Sequence, residues 1–125
     1  MFLEIDPANG LAIYDQIVRQ LKFAVARGVL KPGELVPSVR ELAKDLAINP
    51  NTVARAYREL QTDEVLEVVR GTGLAIAPGA LKQCRKARTE LIRARMRQML
   101  VEARQSEIDE QELRTMFDNE LKFTK

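Results

Sequence analysis

The sequence predicts a mainly α-helical chain carrying one small β-hairpin. Three observations predict it. Apolar residues recur at three- to four-residue spacing over 11–28, 38–46 and 50–60, the period of a helix buried along one face. Two short β-rich runs, 65–69 and 74–77, flank the glycine-bearing connection Arg70-Gly71-Thr72-Gly73. Residues 81–105 then continue without Gly or Pro, as one long helix would.

The elements follow in chain order. Phe2-Leu3-Glu4-Ile5 alternates and suits a short extended arm. In the first helix, Ile13, Ile17, Leu21 and Ala24 recur with Val18 and Val25 beside them. Gly28 is placed to end it, and Lys31-Pro32-Gly33 reads as a turn. The second helix starts sharply. In Ser38-Val39-Arg40-Glu41 the Ser38 hydroxyl can take an orphan N–H while the Glu41 carboxylate reaches back, and Pro37 keeps the preceding residue extended. Val39, Leu42, Ala43 and Leu46 form its buried stripe. After a tight connection over 47–49, Asn49 supplies an N-cap and Pro50 a first helical residue. Val53, Ala56, Tyr57 and Leu60 are the inner face of this third helix, which makes Tyr57 a core residue. Asn51, Thr52, Arg55 and Arg58 occupy the outer face, free of carboxylates until Glu59.

The glycines around 70–73 read as a hairpin tip. Pro78-Gly79 then breaks the chain and divides it into 1–78 and 79–125. The long helix over 81–105 would span about 37 Å at the standard rise. The last helix starts at Asp109, in a capping-box-like Asp109-Glu110-Gln111-Glu112. Ile108 and Leu113 sit at the staple positions, and Leu113, Met116, Phe117 and Leu121 form an apolar face.

Composition excludes several functions. The chain has 125 residues, 46% hydrophobic and 30% charged, so long-range disorder is not expected. No apolar run approaches the roughly 20 residues that cross a bilayer, no secretory signal is visible, and Cys84 is the one cysteine. A cytoplasmic protein without disulfides or membrane association is expected. Histidine is absent, which removes Ser-His-Asp and Cys-His catalysis and His-based zinc sites. Neither GxxxxGK[ST] nor GxGxxG occurs. No catalytic residue, metal site or cofactor is expected.

The net charge of +2 hides an uneven distribution. Residues 1–80 carry nine Lys+Arg against ten Asp+Glu, 81–105 carry eight against two, and 106–125 carry three against six. At 100° per residue, Lys82, Lys86, Arg93, Arg97 and Arg104 share a narrow strip of the long helix. Leu81, Cys84, Leu91, Ile92, Met96 and Met99 cover the broad opposite side, interrupted by Arg88 and Arg95. Such a face needs a partner. Leu113, Met116, Phe117 and Leu121 supply part of it, and the same helix of a second subunit would supply the rest in an isologous contact. The acidic tail would then neutralise part of the basic helix. The rival reading puts the basic strip on DNA. Cys84 suits a small buried hydrophobe within this set.

Three short helices followed by a Gly-tipped hairpin is the order of a winged helix-turn-helix. A short helix and a tight turn hold a third helix proud of the body, so that its outer face can enter a major groove. Such a face must be polar and not acidic, since carboxylates repel phosphates. Asn51, Thr52, Arg55 and Arg58 meet that need: Asn can pair bidentately with adenine and Arg with guanine. Free N–H groups and the positive dipole end at the start of this helix would attract phosphate. Arg40, in the first turn of the second helix, is placed to clamp a phosphate. Arg70 can reach a phosphate or the minor groove, with Gly71 and Thr72 beside it at the tip. Arg19, Lys22 and Arg27 read as solvated.

At these residues the chain resembles a known family. The run from Val36 to Ala43, the run from Ile48 to Leu60 and Arg70-Gly71-Thr72-Gly73 are similar to the GntR family of bacterial transcription regulators over about residues 11–78. The short two-helix remainder resembles its YtrA subfamily. The resemblance implies a dimeric DNA-binding regulator, usually a repressor, on a palindromic double-stranded operator. It implies that Ser38 and Arg40 bind the DNA backbone, that Asn49, Asn51 and Thr52 lie at the start of the recognition helix, and that Gly71 is at the wing tip. Pro50 and Ala54 stand where many members have arginines, so no base code is carried over. Glu64 stands where a glycine commonly ends the third helix, and Ala75 where a bulky aromatic is common. A small-molecule effector is not identified. The alternative is a winged helix that binds a protein partner through its hairpin.

Overall fold

A computed structural model describes residues 3–124. Phe2, the first residue of the expected arm, lies outside the described residues. The rest of that arm is not a strand: it lies along the first helix, held by amide side chains. Gln16, 2% exposed, accepts from the Asp6 N–H at 2.9 Å and donates to the carbonyls of Asp6 and Leu11. A 3₁₀ turn at Pro7–Asn9 follows, its N-terminus capped by the Asp6 carboxylate.

The helices are α1 (Ile13–Ala26), α2 (Val39–Leu46), α3 (Pro50–Thr62), α4 (Ala80–Gln105) and α5 (Glu110–Phe123); the hairpin strands are β1 (Leu66–Val69) and β2 (Gly73–Ile76). Each expected apolar stripe of the first three helices packs inward. Ile17, Leu21, Val25, Leu42, Val53, Ala56, Tyr57 and Leu60 are all at most 2% exposed and join one core with Val65 and Ile76. Burial of a side chain of this size stabilises by about 1.5–3 kcal/mol. The Tyr57 hydroxyl donates to the Pro37 carbonyl at 2.8 Å, so its polar end is satisfied where the chain enters α2.

The hairpin is antiparallel, with Leu66 opposite Ile76 and Val69 opposite Gly73. A third segment, unanticipated by the sequence reading, completes it. Leu35 bridges Ala75, Val36 N–H donates to the Leu74 carbonyl at 3.0 Å, and Gly33 N–H donates to the Ile76 carbonyl at 2.8 Å. Residues 33–36 are too short and too close to Pro32 and Pro37 to alternate as a strand. Their pairing places β2 between two neighbours and ties the wing to the connection between α1 and α2.

All four helix ends up to α4 close in the same way. A residue at the end of the last turn adopts a left-handed backbone, and its own N–H and the next one bond back across that turn. In α1 this residue is Gly28 (φ 79), as expected. In the other three it is Ala47 (φ 54), Glu64 (φ 60) and Glu107 (φ 59).

The chain forms two compact units, Met1–Thr89 and Glu90–Lys125. Pro78-Gly79 does separate β2 from α4, but the first unit keeps the opening turns of α4, because Ala80 and Cys84 are fully buried in its core. Arg85 Nε donates to the Ala26 carbonyl, and the Gln83 amide donates to the Asp63 carbonyl. In the second unit, α4 and α5 line two shallow grooves of about 580 and 620 Å³ with Met96, Met99, Leu113 and Phe117 on both. None of the α5 residues is buried.

Candidate nucleic-acid interface

The sequence places a cap at the head of each of the two helices that would meet DNA. At α2, Glu41 N–H donates to Ser38 Oγ at 3.1 Å and Ser38 N–H donates to the Glu41 carboxylate at 3.1 Å. These bonds, the Ser38 backbone N–H first and its hydroxyl second, hold the Glu41 carboxyl below its ordinary range. Ser38 is exposed, and its hydroxyl oxygen accepts from the Glu41 N–H. Arg40 follows in the first turn, exposed. Burial, and then the charge of Glu41, push the Tyr57 hydroxyl well above the ordinary tyrosine range.

At α3 the cap changes what the helix start can offer. Asn49 Oδ1 accepts from the Asn51 N–H at 2.8 Å, Pro50 has no N–H, and the Thr52 N–H donates to the Asn49 carbonyl at 3.0 Å. The expected free N–H groups are therefore consumed. The dipole remains, but the donors available there are side chains: the Asn49 and Asn51 amides and the Thr52 hydroxyl. An Asn at the cap followed by Pro already contains this outcome, since one removes a donor and the other occupies the next.

Along α3, Asn51, Arg55 and Arg58 are exposed and Thr52 is half-buried, while Val53, Ala56, Tyr57 and Leu60 face the core. The polar face is thus turned away from the protein's own interior. Arg55 carries one contact the sequence did not reveal. Its guanidinium carbon lies 3.7 Å from the ring centroid of Tyr14 on α1. The two are 41 residues apart, and no local pattern signals the pair.

At the wing, Arg70, Gly71 and Thr72 are all exposed, and Thr72 N–H closes the turn on the Val69 carbonyl at 2.9 Å. Gly71 has φ 79, a conformation that side chains rarely adopt, and this is the physical need for glycine at the tip. The body beneath is less solvated than its sequence suggested. Lys22 Nζ lies 2.8 Å from Asp63 Oδ2 with its side chain 12% exposed, and Arg19 pairs with Asp15 at 3.3 Å. The partner of Lys22 lies 41 residues away and is hidden from the sequence, whereas Asp15 stands one turn before Arg19, a local spacing at which such a pair forms. Arg27 is exposed.

Of the apolar set expected on α4, Cys84 departs. It is fully buried in the core of the first unit, and burial raises its thiol above the ordinary value. Its side chain is therefore unavailable to a partner, as its place one turn after Ala80 dictates. Leu81 and Leu91 are half-buried; Ile92, Met96 and Met99 are exposed, and so are Leu100 and Val101, which the sequence reading did not single out. On α5, Leu113 is half-buried and Phe117 exposed. Among the described residues no group of His, Cys, Asp and Glu could hold a metal ion, and no helix is long and apolar enough to cross a membrane.

Comparison with known proteins agrees with this geometry. The description of bacterial regulatory proteins of the gntR family matches residues 13–76. The HTH-type transcriptional repressor YtrA of Bacillus subtilis is 35% identical over 89% of this chain and 85% of its own length. A GntR family transcriptional regulator from Listeria monocytogenes superposes with a TM-score of 0.68 at 27% identity, over 92% of this chain and 98% of that one. YtrA from Sulfolobus acidocaldarius, a GntR-family transcription factor, superposes with a TM-score of 0.60 at 30% identity, over 81% of this chain and 99% of that one.

Proposed function

Since this chain belongs to the GntR family of bacterial regulatory proteins and is a DNA-binding regulator rather than an enzyme, we propose that it represses transcription as a homodimer on a palindromic operator. One observation carries the reading: the polar face of α3, with Asn51 and Arg55 exposed, is turned outward from a core that holds its other face completely buried. In this reading Asn51, Thr52 and Arg55 meet base edges in the major groove. Ser38, Arg40, Asn49 and Arg58 hold the backbone, and Arg70, Gly71 and Thr72 at the wing reach the adjacent groove. Occupancy by two α3 helices about one DNA turn apart, or a multiple of it, would block polymerase. The Bacillus subtilis relative is named a transcriptional repressor, which supports the sign.

The dimer is supported by the second unit. Ile92, Met96, Met99, Met116, Phe117 and Leu121 are each 42–56% exposed, more apolar surface on two helices than a pair in isolation covers. An isologous contact would cover it. Such a regulator acts where the DNA is, in the cytoplasm.

The test compares two arginines. Selection of bound sequences from random DNA should return a palindrome with the wild type. Arg55→Ala should flatten preference at one position of each half-site. Arg40→Ala should weaken selected and mixed-sequence DNA alike. Equal losses on all sequences for both variants would refute the division between base reading and backbone holding. Failure to select any sequence, with retained binding of a protein partner, would favour the protein-interaction alternative.

A further inference from the structure

The Arg55 side chain has charged neighbours that it does not use. Glu59 stands one helical turn along α3, the spacing at which an Arg and a Glu commonly pair. Asp15 stands next to Tyr14 in the chain, yet it pairs with Arg19 at 3.3 Å. No hydrogen bond or ion pair among the described residues involves Arg55. What holds it is the Tyr14 ring, 3.7 Å from the guanidinium carbon to the centroid. Tyr14 is itself half-buried and packed against the core, so the ring is a fixed platform rather than a second mobile side chain.

The consequences differ between the two ways of holding an arginine. A carboxylate would take the N–H edge, which is the edge that reads guanine. An aromatic ring engages the cation through its π-face and leaves those donors unspent. It also restricts a side chain that would otherwise have to be ordered when DNA binds, which lowers the cost of binding. We propose that Tyr14 is a positioning residue for sequence recognition: its ring holds Arg55 for base reading, so that operator preference depends on a side chain of α1, outside the helix-turn-helix. This rests on the reading of α3 as the base-reading helix.

The experiment uses the full chain and the sequence selected by the wild type, with mixed-sequence DNA as the control. Tyr14→Leu removes the ring and keeps apolar bulk; Tyr14→Phe keeps the ring. Tyr14→Leu should weaken the selected sequence about two- to tenfold, the range that a lost cation–π contact and one newly mobile arginine support, and leave mixed-sequence DNA unchanged. It should flatten preference at the same position as Arg55→Ala and add nothing in the Arg55→Ala background. Tyr14→Phe should retain wild-type preference. Thermal melting checks the fold, and Tyr14→Met replaces Tyr14→Leu in every comparison if the latter melts early. Unchanged or tighter operator binding by Tyr14→Leu, or equal weakening on both DNAs, would overturn the proposal while leaving base reading by Arg55 intact. Unchanged preference in Arg55→Ala would overturn base reading itself, and this proposal with it.

Discussion

Glycine at two helix ends should stabilise this protein without touching its DNA affinity. Ala47 ends α2 in the helix-turn-helix connection and Glu64 ends α3 before the wing, with φ 54 and φ 60. Both already make the bonds that this backbone serves: Ile48 N–H donates to the Ala43 carbonyl at 3.0 Å and Val65 N–H to the Leu60 carbonyl at 2.9 Å. A residue with a Cβ costs about 1–2 kcal/mol in this conformation. Glycine removes that cost but adds freedom to the unfolded chain, worth about 0.4–1 kcal/mol. The net gain is about 0.5–1 kcal/mol per site. The sites flank α3, whose 13 residues span about 20 Å, so their effects should add. Ala47→Gly with Glu64→Gly should therefore gain about 1–2 kcal/mol in urea denaturation, and melting should rise by about 4–8 °C for each kcal/mol. Operator affinity should stay within twofold, because neither the turn nor the face of α3 moves. A double variant less stable than the wild type would refute the argument that these ends store backbone strain. A loss of affinity at unchanged stability would show instead that the side chain fixes the angle of α3.

Other outcomes follow from the same geometry. Leu91→Glu with Met99→Glu should yield monomers in sedimentation with poor operator affinity; a persisting dimer would place the interface elsewhere. Tyr57→Phe removes the bond to the Pro37 carbonyl and should cost about 0.5–1.5 kcal/mol in denaturation, more if that carbonyl is left dry. Glu41 is held below its ordinary value of 4.5 in the folded protein, so its contribution is present above that pH and is lost as pH falls through its folded value. An acid titration of stability should show this limb, and Glu41→Gln should flatten it. Operator affinity should fall with salt with a logarithmic slope of about −5, from roughly six phosphates held by Arg40, Arg58 and Arg70 of two subunits.

What the sequence made legible is what local chemistry decides. Ser38 with Glu41, Asn49 with Pro50 and Asp109 with Glu112 announced three helix starts to the residue, because a cap is made by side chains within four positions of the backbone they satisfy. The inner faces of α1, α2 and α3 were legible for a similar reason, since one period serves one core. Helix ends were less so. Gly28 is visible and Glu64 is marked only by the family resemblance, whereas Ala47 and Glu107 take the same backbone without announcing it. The bridging segment at 33–36 was hidden because its pairing is decided by β2, some 40 residues on. The contacts of Lys22 with Asp63 and of Arg55 with Tyr14 join residues 41 apart, beyond any periodicity. Cys84 is the instructive case. Its spacing fits the exposed apolar side of α4, yet the first turns of that helix belong to the neighbouring core, and one helix serves two environments.

The charge pattern gives the salt slope its meaning. With nine basic and ten acidic side chains, residues 1–80 do not attract DNA by net charge. Attraction there must come from placement. Five of the carboxylates are occupied: Glu41 by Ser38, Asp63 by Lys22, Asp15 by Arg19, Asp6 by the Ala8 N–H and Glu34 by the Lys31 N–H. Arg40, Arg55, Arg58 and Arg70 are exposed and form no ion pair among the described residues. The strongest positive charge lies instead on α4, where Lys82, Lys86, Arg97 and Arg104 are exposed and Arg93 pairs with Glu90 at 2.8 Å. At physiological salt the screening length is about 8 Å, so this strip adds to affinity only where it reaches phosphate. Ten such residues in a dimer would steepen the slope by about 9. A slope near −5 assigns binding to the winged unit and leaves the strip to the acidic tail of the same or the other subunit. A slope approaching −14 would bring α4 onto the DNA, and the broad apolar side opposite it would then be the one surface left for the second subunit.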